Sequence, residues 1–289
     1  MVRPFALLLL LAAPAVADDR ADAVAAQRKA ADAVLAEAKL KVAPTETDDL
    51  LVYSTLPPAR AKPLAAALQK AHTAAVKASK RPGSDPLWAG KLTVYVLPDA
   101  RAYKAFVQQG LKESPAARET YRVDVKADPP AVAVGAGIGE KPTDAQLTAE
   151  AAAVVGAAVL DKAHGVTLPD WLRVGFGRAV YLRADGPKSQ RLAAHRAKVR
   201  ALYARTGGAA FSPWAVWGGK PVDEFDTLAA SFAEFLAFGP LADGLPKFVG
   251  GFKPSEQNEN PTPEQALEAA GWKPEALDAA WKQWVLTGK

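Results

Sequence analysis

Lys91-Leu92-Thr93-Val94-Tyr95-Val96-Leu97 is the stretch on which the fold turns. β-Branched and aromatic residues dominate it, which predicts a strand. Upstream, Leu50–Thr55 reads as a short strand stopped by Pro57-Pro58, and a helix follows from about Ala59 to Lys80, ended by Arg81-Pro82-Gly83. Downstream, a helix is expected from Asp99 to about Leu111. Pro129-Pro130-Ala131-Val132-Ala133-Val134 then reads as a third strand, placed on an edge because two prolines open it. From Thr143 onward every element reads as helical, with segments at 143–163, 168–184, 188–205, 226–238, 263–270 and 274–286. Strand–helix alternation followed by helices alone predicts an α+β fold, a small N-terminal sheet with helices and then an all-helical C-terminal half.

Residues 1–17 read as a secretory signal peptide. Arg3 gives a positive start, Phe5–Ala13 is unbroken apolar, and Ala15-Val16-Ala17 supplies a small-x-small cleavage pattern. Nine apolar residues fall short of the roughly twenty that a membrane-spanning helix needs. No later segment reaches that length, so the processed chain is expected to be exported, periplasmic or extracellular, with no transmembrane segment. Residues 18–45 read as an alanine-rich helix and linker, with a break at Pro44-Thr45-Glu46-Thr47. Residues 46–142 read as an α/β subdomain and 143–289 as a helical one.

Of the 289 residues 63 are alanine, so much of the 49% hydrophobic fraction is small. The absence of cysteine excludes disulfides, thiolate zinc sites, iron–sulfur clusters and thiol nucleophiles. The run Val132–Gly139 superficially resembles a dinucleotide fingerprint, but Glu140 holds the third glycine position and Lys141-Pro142 interrupts the following helix. It reads as a glycine-rich loop, and no cofactor is expected. Of the three histidines, His72 and His195 read as packed residues, since neither has a second ligand one helical turn away. His164 lies beside the loop leading to Leu168-Pro169 and is the one histidine placed near a prospective cleft.

Between Arg173 and Arg205 lie nine basic residues and one acid, Asp185, an excess larger than the whole chain's +5. Arg191, Arg196, Lys198 and Arg200 are the candidate anion-binding residues, unless the acidic remainder of the chain pairs with them. Nucleic acid is not an expected partner, because aromatics are not interleaved with these charges. An anionic lipid or envelope polymer fits an exported chain better.

The helix 143–163 followed by Leu168-Pro169-Asp170-Trp171-Leu172-Arg173-Val174-Gly175-Phe176 resembles the active-site region of the gluzincin zinc metallopeptidases, closest to the peptidase MA-like group. That family reads His-Glu-x-x-His on a helix, then a loop, then Leu-Pro-x-Trp-Leu-x-Glu-Gly. The likeness extends over roughly residues 46–287, through Thr227–Leu236 and Ala266–Trp272. In such a site two histidines one turn apart and a glutamate from the next helix hold zinc, and a further glutamate activates the bound water. Registered on Trp171 and Gly175, the ligand positions hold Ala153, Ala157 and Val174, and the general-base position holds Val154. Arg178 stands where the family has an acid. The resemblance therefore implies a metal-free, non-catalytic domain, with Val132, Val134, His164, Trp171 and Arg178 around the old cleft.

Three functions follow as expectations. The first is an exported pseudopeptidase that binds a peptide or protein segment, or serves as a scaffold. The second is an envelope module using the basic helices 173–205. The third is a hydrolase built on new carboxylates such as Asp223 or Glu224.

Overall fold

The computed structural model describes residues 15–288 apart from 82, 84, 118, 138, 167, 219–223 and 257. The apolar run of the expected signal peptide, Ile138 and Asp223 lie outside the described residues; Ala15-Val16-Ala17 opens the first helix, α1 (Ala15–Glu37). Five strands form one mixed sheet in the order β1-β2-β3-β5-β4. They are β1 (Pro44–Glu46), β2 (Leu50–Ser54), β3 (Leu92–Leu97), β4 (Tyr121–Asp124) and β5 (Ala131–Gly135). β2, β3 and β5 run parallel, and β1 and β4 pair antiparallel along the two edges.

Alternate side chains of the parallel strands face different layers. Leu50, Val52, Val94, Val96, Val132 and Val134 enter the main core with α2 (Pro58–Ser79) and α4 (Asp144–His164). Leu51, Tyr53, Tyr95, Leu97 and Ala133 enter a second core with α1, α3 (Ala100–Ala105) and the π-turn Phe106–Gly110 that extends it. Helices on both faces explain why these strands are apolar throughout rather than alternating. α1 is fastened to the start of β3 by the Gln27 amide, which donates to the Lys91 carbonyl at 2.7 Å and accepts from the Lys91 N–H at 2.9 Å.

Three local readings change. β5 lies inside the sheet, between β3 and β4, and is not an edge. Its prolines precede the strand, so residues 131–135 keep their N–H donors, and the Pro130 carbonyl still accepts from Thr93 N at 3.1 Å. The true edge is β4, where Tyr121 and Val123 alternate with Arg122 and Asp124, a short strand pattern that the sequence reading passed over. Pro44–Glu46, read as a break, pairs with β2 as the opposite edge.

The remaining helices are α5 (Asp170–Arg183), α6 (Gln190–Thr206), α7 (Pro213–Trp217), α8 (Phe225–Phe238), α9 (Leu245–Gly250), α10 (Pro263–Ala270) and α11 (Pro274–Thr287). The fold is α+β with its sheet in the N-terminal half. α4 is its central rod. Thr143 and Gln146 close its N-terminus as a reciprocal capping box, Gly165 ends it at φ 64°, and every residue from Ala151 to Leu160 is buried. Glycines set how closely its neighbours approach. A Cβ on Gly177 of α5 would lie 1.9 Å from the Ala153 carbonyl oxygen of α4, and one on Gly175 would lie 2.4 Å from the Ala229 carbonyl oxygen of α8.

Candidate functional site

Ala153, Val154 and Ala157 of α4 and Val174 of α5 line one small cavity of about 40 Å³, closed by Tyr121, Glu150, Arg173 and Arg178. The spacing 153, 154, 157 puts three of these on one helical face, and the close α4–α5 crossing at Gly177 brings Val174 against them. Ala153, Val154 and Ala157 are each 5–6% exposed, so this is a tight waist and not an open pocket.

The waist joins two wider grooves. One, of about 610 Å³, is bounded by Tyr121, Val134, Ala136, Gln146, Glu150 and Arg178. The other, of about 730 Å³, is bounded by Val123, Lys126, Asp161, Val166, Leu168 and Arg173. Tyr121, Glu150 and Arg178 are shared between the waist and the first groove, and Arg173 between the waist and the second. Along α4 the lining residues are Gln146, Leu147, Glu150, Ala153, Val154, Ala157, Asp161 and Lys162, one face of the helix. That face is polar at both ends and small in the middle.

β4 forms the upper lip of this channel. The Thr120 carbonyl accepts from Gly135 N at 2.7 Å, which fixes the phase of the β4–β5 ladder. Paired and unpaired positions alternate in an antiparallel ladder, so the backbone N–H and C=O groups of Tyr121 and Val123 point away from β5. They offer pairing groups to an extended chain lying on the edge.

Two arginines frame the channel, each set between two carboxylates. Arg178 Nη1 lies 2.8 Å from Asp226 and its Nη2 3.3 Å from Glu150. Arg173 Nε donates to Asp161 Oδ2 at 2.9 Å, and its Nη1 lies 3.3 Å from Asp170. Asp161 Oδ1 is buried without a hydrogen-bond partner among the described residues. Burial outweighs the Arg173 charge and pushes the Asp161 carboxyl up to about 6.

Other expected cleft residues fall elsewhere. Val132 and Val134 are both 1% exposed within the core, and of the two only Val134 borders the first groove. Trp171 packs among Trp217, Phe232 and Phe248, with ring centroids 5.6–6.4 Å away, and belongs to the core. His164 turns from the channel to the end of α2, where its Nε2 lies 3.0 Å from the Ser79 carbonyl, and burial lowers its pKa. His72 is also a core residue. Its Nε2 accepts from Trp88 Nε1 at 2.9 Å, which leaves its Nδ1 to face Asp49 at 3.4 Å. The indole can only donate, so the proton of neutral His72 sits on Nδ1. Burial pushes His195 down to about 4, so it is a neutral imidazole at pH 7.

The basic helices do not present one free cationic cluster. Arg196 donates to Glu234 at 2.7 Å, and Arg183 Nε to the same carboxylate at 2.9 Å. Trp284 Nε1 donates to the other oxygen of Glu234 at 3.1 Å. Glu234 is 2% exposed, and although burial raises its pKa the two guanidiniums outweigh this and hold it below the usual value. Arg191 pairs with Asp185 and stacks its guanidinium 4.1 Å from the Tyr181 ring centroid. Of the four expected anion-binding residues, Lys198 and Arg200 are the ones exposed to solvent. Glu224, suggested as part of a carboxylate pair, is held by Arg205 at 2.6 Å.

The residues that the sequence reading missed are Tyr121, Glu150, Asp161 and Arg173. Glu150 and Asp161 share a helical face with Ala153 and Ala157, so helical spacing could have found them. The contribution of β4 could not be found so, because pairing with β5 is what places it at the lip. Among the described residues no group of three or more His, Asp or Glu is placed to hold a metal ion, and no single helix is long and apolar enough to cross a membrane. No protein-family model matches the chain, and no curated protein or solved structure does.

Proposed function

We propose that this chain is an exported, non-catalytic gluzincin-like domain that holds an extended peptide segment along α4 beneath the edge strand β4. The observation that carries this reading is the convergence of Ala153, Val154, Ala157 and Val174 on one cavity under that strand. These are the four positions that the resemblance assigns to zinc ligands and general base. Small apolar side chains there remove the cost of burying imidazoles and carboxylates without a metal. The grooves on either side leave the channel open at both ends, and the outward backbone groups of Tyr121 and Val123 suit pairing by strand addition.

The test uses β-casein as an unstructured polypeptide probe. Saturable binding is expected, with the casein still intact after prolonged incubation. Val123→Pro removes an outward N–H without touching the β4–β5 ladder, and proline is tolerated on an edge in that orientation. This variant should lose most casein binding, whereas Val123→Ala, which trims the same core-facing side chain but keeps the N–H, should bind as wild type does. Stoichiometric zinc that is lost together with a peptidase activity would overturn the reading, as would unchanged binding by the proline variant.

A further inference from the structure

A second cleft, of about 470 Å³, lies on the other face of the sheet, between α1 and the strands β3 and β5. It is within the range of about 300–1,000 Å³ typical of small-molecule sites. Its origin is in the alanine content. Ala30 and Ala31 of α1 face Ala131 and Ala133 of β5, and side chains this small leave the space between helix and sheet unfilled. One wall is aromatic, made by Tyr95 and Phe106 with ring centroids 4.5 Å apart.

At the base is Thr93 on the central strand, 1% exposed, whose hydroxyl has no hydrogen-bond partner among the described residues. A buried hydroxyl left unpaired is destabilising, and native proteins seldom keep one without a use for it. The rim is acidic on balance. Glu113, Asp124 and Asp128 outnumber Arg122, and Arg122 is already engaged by Glu113 and Glu119.

We infer that this cleft binds a compact, uncharged aromatic molecule bearing one hydroxyl or carbonyl group. The ring lies against Tyr95 and Phe106, and the polar atom completes the hydrogen bonding of Thr93. An acidic rim disfavours a carboxylate ligand, and the apolar walls disfavour a strongly hydrated one. Val123, Asp124, Ala127 and Asp128 border both this cleft and the second groove of the α4 channel, but Thr93, Tyr95 and Phe106 do not line the channel, so the proposal does not depend on the pseudopeptidase reading.

The experiment is calorimetric titration of the whole protein with 2-naphthol, naphthalene and 2-naphthoate. Saturable one-to-one binding of 2-naphthol is expected, with 2-naphthoate at least tenfold weaker. Thr93→Val preserves shape and removes the hydroxyl. It should weaken 2-naphthol at least fivefold, leave naphthalene unchanged, and raise the melting temperature of the free protein. Ala30→Trp, at a half-buried position on the cleft wall, should abolish binding of both neutral ligands while the protein stays folded. Absence of saturable naphthol binding would overturn the proposal. So would equal naphthol affinity in Thr93→Val, or tighter binding of naphthoate than of naphthol.

Discussion

Replacing Gly177 by alanine tests the α4–α5 crossing that assembles the waist. The added Cβ would sit 1.9 Å from the Ala153 carbonyl oxygen and 2.7 Å from its carbonyl carbon. Ordinary contact begins near 3.4 Å, so the methyl is about 1.5 Å short of room, against backbone that cannot rotate away. Overpacking of this kind costs about 1–3 kcal/mol and sometimes more. Helix propensity acts the other way, since alanine is better than glycine in a helix interior by about 1 kcal/mol. A backbone clash this deep belongs at the upper end, so the expected net loss is about 2–3 kcal/mol. Gly250→Ala is the control, because a Cβ there meets nothing within 4 Å and the backbone is not left-handed. Urea unfolding followed by circular dichroism should show a lower midpoint for Gly177→Ala and an unchanged or raised midpoint for Gly250→Ala. Equal midpoints for the two variants would refute the close crossing and, with it, the geometry that brings Val174 to Ala153 and Ala157.

Glu234→Gln removes the buried charge that two half-buried guanidiniums share, and breaking such a network by one partner costs about 3 kcal/mol. Because the folded pKa of Glu234 is lowered, its contribution is present above the unfolded value and lost as pH falls through the folded one. The variant should therefore lose less stability than wild type on acidification below about pH 4, read from melting temperatures across a pH series. Asp161 has the opposite sign. Its folded pKa is raised to about 6, so its contribution is full at low pH and is lost as pH rises through 6, and Asp161→Asn should flatten that decline. Introducing Ala153→His, Ala157→His and Val174→Glu together should create a zinc-dependent rise in melting temperature of the folded protein; a folded variant that ignores zinc would refute the assigned register. Trp88→Phe strips His72 Nε2 of its donor and should destabilise by about 1–3 kcal/mol in urea unfolding, whereas a neutral result would mean that the bond is not formed.

The channel was partly legible before any coordinates. The family register put Ala153, Val154, Ala157 and Val174 together, and Leu168–Gly175 locates the second helix of the pair. Three features were beyond the reach of local reading. Trp171 looks like a cleft aromatic in its motif, yet Phe232 and Phe248 from distant helices enclose it. His164 ends α4 near the loop, but the free carbonyl at the end of α2 captures its ring. The excess charge of residues 173–205 looked available to a partner, and Glu150, Asp161, Asp170, Glu224, Asp226 and Glu234 from other segments neutralise most of it.

What the sequence determined by itself is what short-range physics controls. Short apolar runs made β2, β3 and β5, a threonine–glutamine capping box started α4, and glycine ended it. Composition excluded thiol chemistry outright, and the alanine excess fixed in advance that helices would approach closely or leave space between them. Tertiary structure decided which of those outcomes occurred where. Between α4 and α5 glycine and alanine closed the gap to a waist of about 40 Å³, whereas between α1 and β5 they left a cleft of about 470 Å³. It also decided that β4 would become the edge, because local sequence can favour an extended Tyr-Arg-Val-Asp segment but only its pairing with β5 sets its place in the sheet.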